Sequence, residues 1–103
     1  MDIDAILDAI ARANGGTLTV GEKYITMLNA TYGTRWKTSD LAHPVKARAL
    51  GRLYLSHFTR PSMLGRMPTP EDAVRIWHGG PVGHLREFTR SHWERVAPYL
   101  SQA

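Results

Sequence analysis

This chain of 103 residues has no cysteine. Disulfides cannot hold it together, and no thiolate is available as a nucleophile or zinc ligand. It has no run of about 18 apolar residues, which excludes a membrane-spanning helix. It starts Met1-Asp2-Ile3-Asp4, so the basic opening of a secretory signal is missing. No glycine-rich phosphate loop, dinucleotide fingerprint or Ser-His-Asp pattern can be read. The histidines are His43, His57, His78, His84 and His92, and none forms an i, i+4 pair on one helix. Neither a metal nor any other cofactor is therefore expected. Acids are also scarce where they would matter: none lies between Asp8 and Glu22.

What is present is an ordinary globular balance, 43% hydrophobic and 21% charged, at the size of one small domain spanning 1–103. The net charge is +4, unevenly placed. Asp2, Asp4 and Asp8 sit among the first eight residues with no base. Residues 33–66 carry seven bases, Arg48 and Arg52 among them, against Asp40 alone. Ten of the thirteen bases are arginine, whose fork suits carboxylate and phosphate. Such a surface attracts polyanions; a merely solvated helix face is the plainer account.

Periodicity predicts an all-α chain. Ile3, Ile6, Leu7 and Ile10 mark a helix over about 2–13, ended by Gly15-Gly16. Leu18 and Val20 suit one short extended piece. A second helix over about 21–31 would turn Tyr24, Ile25, Met27 and Leu28 inward. Residues 33–43 read as an irregular connection. Pro44 opens a helix over about 44–58, with Leu50, Leu53, Tyr54 and His57/Phe58 as its stripe. Residues 60–67 read as a loop, in which Pro61 and Gly65 stand. Thr69-Pro70-Glu71-Asp72 is a start signal: cap, N1 proline and two acids at the dipole's positive end. Ser91-His92-Trp93-Glu94 fits a capping box, with Trp93, Val96, Ala97 and Leu100 as the last apolar stripe. His57, on an apolar stripe, reads as a satisfied core or edge histidine. Asp40 reads as a cap or turn residue. Trp93 belongs to the core, and Trp36, between Arg35 and Lys37, is expected at the surface.

The most informative stretch is Arg75-Ile76-Trp77-His78-Gly79-Gly80-Pro81-Val82-Gly83. Pro81 stops the helix abruptly. A large ring and an imidazole are left at the mouth of a tight turn, and two glycines let something approach the backbone closely. A helix cap followed by a turn is the plain explanation.

Residues 74–83, with Thr89, Trp93, Arg95 and Val96 beyond, resemble the C-terminal signature of invertebrate-type (destabilase-like) lysozymes and their bacterial and phage relatives. That pattern runs roughly A-R-I-H-N-G-G-P-x-G, then T-x-x-Y-W-x-K-V. Here Trp77 stands for the His, His78 for the Asn and His92 for the Tyr. Upstream, Gly16-Thr17-Leu18-Thr19-Val20 through Tyr24 resembles G-A-L-Q-I-x-x-x-Y. Pro44-Val45-Lys46-Ala47-Arg48 and Leu53-Tyr54-Leu55-Ser56-His57-Phe58 resemble the family's P-x-x-A-x…Y-L-x-x-Y helix.

The resemblance implies a small lysozyme-like helical domain with its β-hairpin region reduced or deleted. It implies a groove lined by Asn14, Thr19, Tyr24, Trp77, His78, Gly79 and Gly80, for peptidoglycan or an N-acetylated glycan chain. Trp77 would stack on a sugar face there or be buried structure. The family's members place a catalytic Glu at the end of the first helix, where this chain has Asn14. Glycoside hydrolysis needs a carboxylic acid to protonate the leaving oxygen, which an amide cannot do. The second acid of the animal enzymes is missing together with its loop. A degenerate glycan-engaging domain is therefore the first reading. A weakly active muramidase using Glu22 or Asp8 is the second. A basic helical nucleic-acid-binding or virion-assembly protein using Arg48 and Arg52 is the third. With no signal, the cytoplasm is the expected site of synthesis, and lysis or a virion the expected route to a cell wall.

Overall fold

The Asp2 carboxylate accepts from the Ala5 backbone N–H and opens the first helix, α1 (Ile3–Ala13). Its Ile6, Leu7, Ala9 and Ile10 are buried. In this computed structural model, which describes residues 1–100, five further helices follow: α2 (Glu22–Tyr32), α3 (Pro44–Phe58), α4 (Pro61–Leu64), α5 (Pro70–Gly79) and α6 (Arg90–Leu100). No strand occurs among the described residues. Residues 17–20 cross without a strand partner and bury Leu18 and Val20. No helix among the described residues is long and apolar enough to cross a membrane.

α1 packs on α6 and α3, and α5 packs against all three. Leu50, Tyr54, Leu55 and Phe58 of α3 and Ala73, Val74 and Ile76 of α5 complete one buried cluster with α1 and Val96 of α6. The radius of gyration is 12.9 Å, about that of a folded chain of this length.

Several local expectations need correction. Met27 is exposed, because α2 turns only Ile25 and Leu28 fully inward. Residues 60–67 include α4, started by Pro61 and ended by Gly65 in the left-handed region. The connection over 33–43 contains a 3₁₀ turn, Thr38–Ala42, where the Asp40 carboxylate accepts from the Lys37 N–H at 2.9 Å. The capping box at Ser91 does not form. α6 starts at Arg90, two residues before the His92 that a Ser91 cap would make first, and the Ser91 hydroxyl donates to the Phe88 carbonyl at 3.4 Å. All three tryptophans are half-buried, so Trp93 is less deep and Trp36 less exposed than expected.

The start of α5 forms as its sequence indicates. Thr69 and Asp72 exchange side-chain and backbone hydrogen bonds. Arg66 adds a two-pronged contact to Asp72 at 2.6 and 2.7 Å. That fork, aided by Thr69, overcomes burial and holds the Asp72 carboxyl at about 2.

Candidate functional site

The end of α1 is set by glycine. The Asn14 N–H bonds back to Ile10 and Ala11, and Gly15 and Gly16 follow with φ of 73° and 94°, where other residues are strained. This turns the chain sharply and leaves Asn14 exposed at the corner. Across from it, α5 ends in Gly79 and is capped by Gly80 at φ 85°.

Between these corners lies a cavity of about 490 Å³. Asn14, Thr19, Tyr24, Trp77, His78, Gly79 and Gly80 all line it, although more than sixty positions separate the first from the last four. Thr17, Val20, Gly21, Tyr54, Phe88, His92 and Arg95 complete the lining. Sequence reasoning did not place these seven in the groove. A usable signal existed for two of them: His92 and Arg95 are three apart, and so share one helix face.

Neither candidate acid is in the lining, and no Asp or Glu is. Glu22 is exposed at the first turn of α2. Asp8 is exposed on α1 and paired to Arg48. Proton donation from either into this cavity has no geometric basis.

The glycines serve the chain's own packing. A Cβ on Gly79 would stand 2.6 Å from the Thr89 methyl, and one on Gly80 would meet the Tyr24 hydroxyl. One on Gly83 would meet the Arg75 carbonyl. What approaches the backbone is therefore Thr89 and Tyr24, and the Gly-Gly-Pro turn is a packed wall. Tyr24 stands edge-on to Tyr54 and Phe58, and Tyr54 edge-on to Trp77 at 5.3 Å. The buried Tyr54 hydroxyl donates to the Ile76 carbonyl, and burial pushes its pKa up.

Behind the wall, Arg75 is almost wholly enclosed. Its Nε donates to the Thr89 hydroxyl at 2.8 Å, and its other nitrogens reach Glu71 and the Arg86 carbonyl. The Thr89 hydroxyl lies 2.7 Å from the Gly83 and Arg86 carbonyls. This knot ties residues 83–89 to α5.

The α6 side of the cavity is built from imidazoles. His78, exposed, lies flat on His92, with ring centroids 4.3 Å apart and planes 15° apart. Phe88 tilts against His78 at 5.9 Å. His92 is 3% exposed, and its Nδ1 is 2.9 Å from Nη2 of Arg95. A guanidinium only donates, so Nδ1 accepts and the neutral ring carries its hydrogen on Nε2. That Nε2 is buried without a partner. Burial first, then the charges of His78 and Arg95, hold the His92 pKa down to about 4. The ring is neutral at pH 7. Two rings stacked face to face do not converge their nitrogens on one ion, and no group of three potential ligands could hold a metal among the described residues.

The polyanion surface expected on α3 is largely met from within. Arg48 pairs with Asp8 and Asp4, Arg52 with Asp4 at 2.7 Å, Lys46 with Asp40 and Arg66 with Asp72. Two bases of the middle, Arg48 and Arg52, thus meet two acids of the chain's start, Asp4 and Asp8. His57 is half-buried and bonded to the Tyr32 hydroxyl at 2.8 Å, as an edge histidine should be.

Comparison with protein-family models, with curated proteins and with solved structures finds no match to this chain.

Proposed function

We propose that this chain binds a glycan chain, of the kind found in bacterial cell walls, in a lysozyme-like groove and does not cleave it. The observation that carries the reading is the convergence of Asn14, Thr19, Tyr24, Trp77, His78, Gly79 and Gly80 on one cavity. Helix periodicity alone gives no reason for the end of α1 to face the end of α5. The cavity volume is that of a small-molecule site. Tyr24, Trp77 and Phe88 supply ring surface for sugar faces. Asn14, Thr17, Thr19 and Arg95 supply polar groups for hydroxyl and acetamido groups.

The absence of any carboxylate from the lining supports binding without hydrolysis, since both common glycosidase mechanisms use a pair of them. The test has two measurements. Titration calorimetry with N-acetylated chito-oligosaccharides should show saturable binding, weakened about tenfold in Trp77→Ala once that variant is shown to be folded. Reducing-sugar release from purified peptidoglycan should stay at background over hours at several pH values. Turnover that disappears in Glu22→Gln or Asp8→Asn would replace this reading with an enzymatic one.

A further inference from the structure

We infer that residues 17–20 form an open strand edge on which an extended, acidic peptide segment of a partner protein docks, adding itself as a second strand in the groove. This docking does not depend on the glycan reading.

Among the described residues, no backbone N–H or carbonyl of Thr17, Leu18, Thr19 or Val20 has a hydrogen-bond partner. The stretch makes one local bond, from the Thr17 hydroxyl to the Asn14 carbonyl. It is nonetheless held in place. Leu18 and Val20 are buried in the main cluster, while Thr17 and Thr19 are exposed. That alternation is the pleat of a β-strand, whose successive side chains face opposite ways. The β-branched Thr17, Thr19 and Val20 favour it. Backbone groups alternate too, so each lateral edge offers two N–H groups and two carbonyls. The docking edge is that of Thr17 and Thr19, both of which line the groove. A fixed strand with an unpaired edge is a template for another backbone, whose hydrogen bonds supply the affinity.

Charge chooses the occupant. Among the side chains lining the groove, Arg95 alone is a permanent charge, and no Asp or Glu offsets it. Arg48, Arg52, Arg66, Arg75 and Arg90 each pair with a carboxylate of the chain, whereas the contact of Arg95 is the neutral imidazole of His92. An entering strand with a negative side chain is therefore favoured over one with a positive side chain. Shape chooses a single chain over a second copy of this domain. Paired strands lie about 4.8 Å apart. The edge lines a concave groove, so two copies carrying the same recessed edge cannot bring them that close, and an extended peptide can.

NMR titration of the labelled chain tests this with capped pentapeptides of alternating threonine and valine. One has aspartate at its centre, one lysine, and one aspartate with every backbone nitrogen methylated. At millimolar aspartate peptide, the amide signals of residues 17–20 should shift and their hydrogen exchange should slow. The lysine peptide should bind about tenfold more weakly at low salt, and Arg95→Gln should abolish that difference. The methylated peptide should not bind. Thr19→Pro removes an N–H that has no partner in the fold and suits extended backbone, so it should fold and lose the peptide. Thr19→Ala keeps the N–H and should retain it; circular dichroism checks both variants. Loss in both or in neither, binding of the methylated peptide, or equal affinity for the aspartate and lysine peptides would overturn the inference. So would a dimer, seen by sedimentation, that Thr19→Pro dissolves, because the occupant would then be a second copy. Triacetylchitotriose should displace the peptide. Peptide binding without any response to the sugar would remove the glycan reading alone; sugar binding without a peptide response at residues 17–20 would remove this inference alone.

Discussion

Arg48 and Arg52 on α3 and Arg75 on α5 are the same residue in opposite settings. The α3 pair meets Asp4 and Asp8 across a solvated face. Arg75 is enclosed, with its donors divided among Thr89, Glu71 and the Arg86 carbonyl. Water can replace any contact on the first face, so each contributes little. Nothing can replace the contacts of the second, so each missing partner strands a buried charge or carbonyl. The wall of the groove is built on the second kind.

Thr89→Val should have the largest effect. It keeps the methyl under Gly79 but removes the acceptor for Arg75 Nε and the hydroxyl beside two carbonyls. Urea unfolding should show a loss of about 3–4 kcal/mol. A loss below about 1 kcal/mol would mean that the two regions do not differ.

Acid should act next, through His92. Its folded pKa, about 4, lies below the unfolded value near 6.5. Between these values the unfolded chain binds the proton and the folded chain does not. Stability should therefore fall as pH drops from about 6.5 to about 4, by about 2–3 kcal/mol, and gain nothing further above pH 7. His92→Gln should flatten that window. An unchanged slope in the variant would place the titration elsewhere.

The smallest effect belongs to the solvated face. Arg48→Gln should cost about 1 kcal/mol or less, and the difference from wild type should shrink in 1 M salt. A salt-insensitive loss above about 2 kcal/mol would show that the pair with Asp8 behaves like the Arg75 knot.

The helices were legible in the sequence because their signals are local. Pro44 and the Thr69-Pro70 start put α3 and α5 where they stand, and Gly15-Gly16 ended α1. The groove's membership was legible in half its residues through the family pattern. The imidazole stack and the Arg75 knot were not. His78 and His92 are fourteen positions apart and on different helices, and no spacing rule joins them. The pairing of the charges was out of reach for the same reason: Asp4 and Asp8 lie forty or more positions from Arg48 and Arg52, so it is invisible to a local count. The capping box at Ser91 was a fair local match. It lost because Thr89 is needed inside, which drew the helix start back to Arg90.

Tyr24 occupies the space that a side chain at position 80 would take. It is the peg by which α2 is fastened to the end of α5. α2 is otherwise lightly attached, burying only Ile25 and Leu28, whereas α5 buries five residues in succession. The two walls of the groove thus belong to segments of unequal permanence. Fluctuations that withdraw the peg would widen the groove while the α1–α3–α5–α6 body stays intact, since local openings follow the least buried element. A ligand gripping both walls would do the work of a second fastening, and its affinity would be coupled to how seldom α2 lets go.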